Sequence, residues 1–440
     1  MEPDVKYCIQ ELADAIEEND DGSVKFSGSE NIRKKERLSP IIIEGLEIDP
    51  NRLRISPERL ENKIDQLILD AKRSGSGVIE YIEANLGDFE QEIRNIEVQR
   101  YRLAFPLNYH RNSRDLISDE IQITDIRFQR ISKSDWQSQF APNFEEENLG
   151  RIAGKLSRFL DRSPNKLDNA FFTYWFADCY ARDEKFAVER IIDRLRILLG
   201  LMNMAMSFGR IQTTSISSGP WPNRWADLRE PFVYLLYGED HNLLQYYYSE
   251  DASLRKKDKP HSMFEDSFAD LMQMFPSFEN QQQIDSRLFN GIRSFQAGIS
   301  NGDTTESFFD FWRGVENLAL VREDEKMATV TNRATAMNQW RNPRIGEIRT
   351  RRAINKRNEY VHEGADLRVT IADRNLLKTL LESLIELYID KREDWDEGDM
   401  RFALEKFSID EQQLAHMRKS RERELNIIEW MDQIREENTD

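Results

Sequence analysis

Cysteine is nearly absent: two residues, Cys8 and Cys179, occur in 440. They lie too far apart to form a metal-ligand or redox spacing, so they read as two reduced thiols, and a disulfide scaffold is excluded. Long apolar runs are missing as well. The most apolar helical stretch, Leu195 to Met206, is short and interrupted by Arg196 and Asn203, too little to span a bilayer. Met1 to Glu18 has no basic start followed by an apolar run, so no secretory signal is expected. These absences predict a cytoplasmic protein with no membrane association. No period of 20–50 residues repeats, which excludes solenoids and propellers. Positive charge is in deficit: 62 Lys and Arg stand against 80 Asp and Glu, a net charge of −18. Such a balance argues against a protein that coats nucleic acid with its whole surface, but leaves room for a local basic groove. It is also what a salt-rich cytoplasm would favour.

What is present is globular: 39% hydrophobic and 10% aromatic residues, over a length sufficient for two or three domains. Glu18 to Lys35 is polar and carries Gly and Ser, a mobile lead-in by composition. Period-two alternation in Tyr101 to Leu107 and in Ile121 to Phe128 predicts half-buried strands, and the aromatic-rich Phe171 to Tyr180 another. Phe232 to Tyr248 reads as a strand and a turn. Leu60, Ile64, Leu67 and Ile68 mark one helix before the break at Ser74-Gly-Ser-Gly. Phe186, Ile191, Leu195, Leu198 and Met202 mark a second, ending near Gly209. Gln212 to Arg229 is loop-rich. Trp221 and Trp225 within it read as packing residues of an irregular loop, with base stacking the alternative. Arg255 to Pro260 reads as a solvated linker.

From about Gln283 the texture turns wholly helical. Ile284, Leu288, Ile292, Phe295 and Ile299 share one face, Asn301-Gly302 breaks it, and Asp303-x-x-Glu306 resembles a capping box. That start launches Phe308, Phe311, Trp312, Val315 and Leu318. A less regular basic stretch, Arg322 to Arg344, precedes a helix from about Ile345 to His362, closed by Gly364. Thr370-x-x-Asp373 opens the next helix. Glu393 to Asp399 reads as an acidic turn, and Ser408-x-x-Glu411 starts a last long helix whose Leu414, Met417, Leu425, Ile428, Met431 and Ile434 stripe either packs back or meets a partner chain.

One segment carries chemistry. Arg344, Arg349, Arg351, Arg352, Lys356 and Arg357 crowd one predicted helix of an acidic protein. Such a density attracts phosphate; the alternative is a solvated face paired to the acidic tail. Directly after it, Asn358 and His362 stand four apart with Arg357 beside them, so the helix groups a guanidinium, an amide and an imidazole. Tyr360 and Val361 would turn inward and the polar trio outward. His362, at the last turn, gains proton affinity from the helix end. Arg can clamp phosphate bidentately and His can carry a proton near neutrality. The other histidines, His110, His241, His261 and His416, are each isolated from a ligand partner and read as surface or structural residues. No carboxylate cluster or Cys/His set suggests a metal, so neither metal nor cofactor is expected.

Arg357-Asn358-x-x-x-His362-x-Gly364 resembles the motif of the HEPN superfamily. The preceding helix, with Trp312, Glu316 and Leu318 in a Trp-x-x-x-Glu-x-Leu pattern, is similar to that of the Apea-like branch. The resemblance covers roughly Gln283 to Lys391. It implies a four- or five-helix bundle that dimerises so that two motifs face each other across an RNA cleft. It also implies metal-independent cleavage by the substrate's own 2′-OH, leaving a 2′,3′-cyclic phosphate and a 5′-OH. In that scheme His362 moves the proton, Arg357 clamps the phosphate, and Asn358 positions one or the other. Glu316 either orients Arg357 or forms a buried structural ion pair. A toxin branch of the family bears Tyr two residues after the His; here Gly364 stands there, so regulation through that Tyr is not implied.

The expectation is therefore an α+β N-terminal region followed by an all-α HEPN bundle: 1–37 a flexible or helical lead-in, 38–278 an α+β sensor or regulatory domain, 283–392 the bundle, 393–440 a helical extension. The expected function is an RNA-cleaving effector of anti-phage or toxin-like defence. Its expected partners are an RNA substrate, a second copy of the chain, and a phage-derived or cellular trigger at the N-terminal domain. The alternative is a non-catalytic HEPN module that binds RNA or nucleotide, or serves as a dimerisation scaffold.

Overall fold

A computed structural model describes residues 1–107, 119–139, 173–211, 226, 228–231, 233–248, 283–320, 327–337, 343–363, 369–407 and 411–437. Its described strands all precede residue 249 and the described elements from 283 onward are helices, a mixed α+β chain. Two compact units divide it: Met1–Leu195 with Glu230–Ser262, and Arg196–Arg229 with Met263–Asp440.

The first unit opens with helices α1 (Pro3–Ala15), α2 (Gly28–Gly45), α3 (Pro50–Leu53), α4 (Pro57–Ser74) and α5 (Val78–Asn95). Prolines begin α1, α3 and α4, where a missing N–H costs nothing. The Ser56 hydroxyl caps α4 by accepting from the Arg59 amide, and Gly75 ends it in the left-handed region at φ 70°. Ile9, Leu12, Ile42, Leu60, Ile64, Ile68 and Ile93 fill a shared core. The expected mobile lead-in is instead built into this layer. Glu17–Glu18 (β1) pairs with Val24–Lys25 (β2), Phe26 and Val24 pack on the core, and the Arg73 guanidinium donates to Glu18 and to the Gly22 carbonyl. Local composition missed it because its anchors are long-range contacts: Val24 and Phe26 on the core, Arg73 on Glu18 and Gly22, Lys34 on Glu11 and Lys35 on Asp65.

An antiparallel six-stranded sheet follows, in the order β4-β5-β6-β3-β7-β8. Its centre is β3 (Gln99–Leu107), paired along its length with β6 (Thr173–Ala181) and on its other side with β7 (Val233–Tyr237). β7 turns into β8 (Leu243–Tyr248), so the expected single strand and turn form a hairpin. The expected strand Ile121 to Phe128 is likewise a hairpin, β4 (Glu120–Ile123) and β5 (Ile126–Ile131), with Thr124 at φ 54° in the turn. The apolar positions change parity between Ile123 and Ile126. Folding back restores Ile121, Ile123, Ile126 and Phe128 to one buried face, which a straight strand cannot do. The short helix α6 (Lys133–Gln139) seats Trp136 against Tyr174, centroids 4.8 Å apart.

The division between the units falls inside α7 (Glu184–Ser207). In the second unit the described helices are α8 (Gln283–Ser300), α9 (Thr304–Ala319), α10 (Met327–Met337), α11 (Pro343–Glu363), α12 (Ile371–Lys391), α13 (Glu397–Lys406) and α14 (Glu411–Glu437). Three elements differ from expectation. The stretch Arg322 to Arg344 contains α10, whose small residues Val330 and Ala334 are buried but too weakly apolar to announce a helix. The acidic Glu393 to Asp399 segment is a turn only at its start: Asp396 and Asp399 form a reciprocal capping box that opens α13. Asp303 caps α9 by accepting from the Thr305 and Glu306 amides, without the expected return bond from Glu306 among the hydrogen bonds of the described residues. The Thr370–Asp373 box is complete.

Glycines bring α8 and α9 into close contact. A Cβ on Gly298 would stand 2.6 Å from the Phe311 ring, and one on Gly291 2.7 Å from Leu318. Two buried ion pairs fix the helices. Arg392 clasps Asp285 bidentately at 2.9 Å, joining the chain just beyond α12 to the start of α8. Lys378 donates to the carbonyls of Ser207 (2.8 Å) and Arg210 (3.0 Å) and to Glu382, so each ammonium N–H has an acceptor. Burial pushes the Glu382 carboxyl up to about 7, with Lys378 opposing.

Among the described residues no helix is long and apolar enough to cross a membrane.

Two outcomes follow. Asp285→Ala strands the buried Arg392 charge and should lower unfolding free energy by about 3–5 kcal/mol in a urea titration. Glu382 binds its proton more tightly folded than unfolded, so its contribution to stability is full below its ordinary value of 4.5 and is lost as pH rises through about 7. Melting temperatures should show that decline, and Glu382→Gln should flatten it.

Candidate functional site

Glu316 sits in the last turn of α9, and the end of that helix is unusually well held. The Asn317 carbonyl accepts from Arg287 at 3.2 Å, and Arg287 also donates to the Leu320 carbonyl. The Tyr388 hydroxyl donates to the Leu318 carbonyl at 2.8 Å, and Arg333 donates to the Ala319 carbonyl at 2.6 Å. These are the acceptors a helix leaves without an internal partner. Side chains from α8, α10 and α12 supply the missing donors, so the position of Glu316 is set from three directions.

α11 meets α9 through side chains. Tyr360 lies on Phe309, centroids 4.5 Å apart and planes at 41°, and the Arg357 guanidinium faces Glu316 at 3.9 Å. The same guanidinium donates to the Asn358 side-chain oxygen at 3.2 Å. Glu316, Arg357 and Asn358 thus converge, the two charged groups being 25% and 22% exposed. The pair is therefore neither buried nor fully solvated. A contact of this length and exposure contributes little stability, at most about 1 kcal/mol. Its effect is to fix where the guanidinium points. Position 362 lies on the last turn of α11, one turn beyond Asn358. Gly364 lies outside the described residues. Tyr360, expected inside, is 38% exposed and covers Phe309 from the outer side, while Arg357 is the half-buried member.

The basic residues of α11 do not share one face. Arg344, Arg351, Asn358 and position 362 follow one another at steps of seven, seven and four, a single stripe of an α-helix. Arg344, Arg351 and Arg352 are exposed, and Arg351 pairs with Glu347 at 2.5 Å. Arg349 and Lys356 lie a different way, and Lys356 is drawn to Asp373 in the N-terminal box of α12. Burial disfavours the Asp373 carboxylate, but Lys356 and Thr370 outweigh it and hold its pKa below the usual range. Lys356 is thus a strut between two helices rather than an open phosphate contact. Sequence reasoning missed Asp373 as its partner, and missed Arg287, Arg333 and Tyr388 as donors to the end of α9. Their partners at the helix end are backbone carbonyls, which leave no residue pattern, while Arg287 also pairs with Glu397 and Arg333 with Glu405.

Among the described residues no group of three or more His, Cys, Asp or Glu is placed to hold a metal ion. His241 and His416 are exposed; His110 and His261, together with Trp221, Trp225 and the Arg255–Pro260 run, lie outside the described residues.

No protein family, curated protein or solved structure matches this chain.

Tyr388→Phe should remove one donor from the end of α9 and leave the Leu318 carbonyl unpaired. The expected cost is about 1–3 kcal/mol in chemical denaturation; an unchanged midpoint would mean that this hydroxyl does not hold the helix end.

Proposed function

We propose that the helical unit is a HEPN-type, metal-independent endoribonuclease. The observation that carries the reading is the convergence of Glu316, Arg357 and Asn358 from two packed helices, one turn before His362. Arg357, aimed by Glu316, would clamp the scissile phosphate and hold the charge that grows on its oxygens. His362 would take the proton of the ribose 2′-OH as that oxygen attacks phosphorus, and water would give the departing 5′ oxygen the proton with which it leaves. Asn358 would hold the phosphate or the imidazole in line. The products would be a 2′,3′-cyclic phosphate, or its opened form, and a 5′-OH. Arg344, Arg351 and Arg352, exposed on α11, would meet further phosphates, with Arg349 at the side of the track and Lys356 supporting it.

The resemblance to the HEPN superfamily supplies the rest of the reading. Two copies would face each other to complete an RNA cleft, and the protein would act in the cytoplasm as an effector of anti-phage or toxin-like defence, with its trigger met by the N-terminal unit. A second reading, a non-catalytic dimerisation scaffold, draws on Ile345 and Ile348, which are 51% and 58% exposed on the same helix as the arginines.

Incubating the protein with mixed RNA in EDTA decides between them. The enzyme reading expects 5′-OH ends, loss of cutting by about 10²-fold or more in His362→Ala and Arg357→Ala, and a smaller loss in Glu316→Gln. Cleavage that leaves 5′-phosphates, or full activity in both of the first two variants, would rule the mechanism out.

A further inference from the structure

The N-terminal unit contains a cavity of about 660 Å³ between the α3 loop, the β4–β5 hairpin, β6 and the start of α7. That volume suits a small ligand. Four arginines reach its wall, Arg52, Arg54, Arg127 and Arg190, in a protein of net charge −18. The two acids of the wall are already taken. Asp178 is held bidentately by Arg102 at 2.7 and 2.8 Å, and Asp125 bidentately by Arg190 at 3.0 Å, with Arg194 beside it. Arg127 pairs at the rim with Glu120. Arg52 and Arg54 make no side-chain hydrogen bond or ion pair among the described residues, so they set the sign of the cavity.

Arg54 is also held in an unfavourable backbone state, φ 53° and ψ 45°, where glycine or asparagine would sit more easily. Its neighbours over-determine that state. The Arg182 guanidinium donates to the Leu53 carbonyl, the Arg182 amide to the Arg54 carbonyl at 2.8 Å, and the Ser56 amide to Asp183 at 2.7 Å. The loop is therefore bolted to the end of β6 before any ligand arrives, so the backbone that carries Arg54 needs no ordering on binding. At the same wall Tyr180 is 55% exposed, an aromatic face open to stacking. Cys179, the preceding residue of the strand, turns to the opposite, buried face, and its thiol is pushed up to about 12 by burial first and then by Asp125.

We infer that this cavity binds a nucleotide carrying at least two phosphates, the phosphates on Arg52 and Arg54 and the base against Tyr180. The inference uses no residue of the helical unit and stands apart from the ribonuclease reading.

Calorimetric titration of the full chain with ATP, GTP, inorganic triphosphate and adenosine tests it. One nucleoside triphosphate should bind one-to-one, roughly tenfold or more tighter than triphosphate, and adenosine alone should bind negligibly. Arg54→Gly keeps the left-handed backbone without strain, so its melting temperature should not fall, while nucleotide affinity should drop roughly tenfold or more. Arg52→Ala should weaken binding similarly. Absence of binding at millimolar nucleotide, equal affinity for triphosphate and nucleotide, or wild-type affinity in Arg54→Gly would each overturn the assignment.

Discussion

The end of α9 is the constraint on which the helical unit turns. A helix that stops inside a packed bundle leaves carbonyls pointing into apolar surroundings, and each must find a donor or cost free energy. Arg287, Arg333 and Tyr388 meet that need from α8, α10 and α12. The same bonds that rescue the carbonyls register the helices against one another. Glu316 lies one residue before the carbonyls so held, so the carboxylate that faces Arg357 inherits its position from backbone satisfaction rather than from its own ion pair. The glycine contacts at Gly291 and Gly298 are consistent with this: α8 and α9 approach too closely for larger side chains, which lets Arg287 reach the carbonyls directly.

Much of this was legible as periodicity. The apolar stripes of α8 and α9, the cap at Asp303 and the box at Thr370 are local patterns, and the helices lie where those patterns place them. The hairpin at Thr124 was legible too, but only through the parity change between Ile123 and Ile126. Read as mere alternation, that signal is lost. The convergence of Arg357, Asn358 and Glu316 was half visible: spacing joins the first two, while Glu316 came from the family resemblance alone, and only packing brings it within 3.9 Å. Invisible throughout were the bonds between a long cationic side chain and a distant carbonyl. Arg182 on Leu53 and Lys378 on Ser207 are of this kind. Nothing about a carbonyl differs from residue to residue, so no spacing marks its partner.

Charge is organised against the average of the chain. Net acidity coexists with two separate concentrations of arginine, one contiguous along α11 and one assembled from Arg52, Arg54, Arg127 and Arg190 across a long span of sequence. The contiguous cluster is conspicuous in the sequence, yet folding divides it among faces and commits Lys356 to Asp373. The dispersed cluster is silent in the sequence, yet folding gathers it at one wall. Linear density of charge is thus a poor guide to surface potential in either direction.

The two thiols give the first unit a pair of internal clocks. Cys8 belongs to the helical core of α1 and Cys179 to the middle strands of the sheet, and both are buried. Burial raises the pKa of each, so neither meets an alkylating reagent as thiolate until its surroundings open. Their modification rates would report the opening of the helical layer and of the sheet independently, with no engineered label.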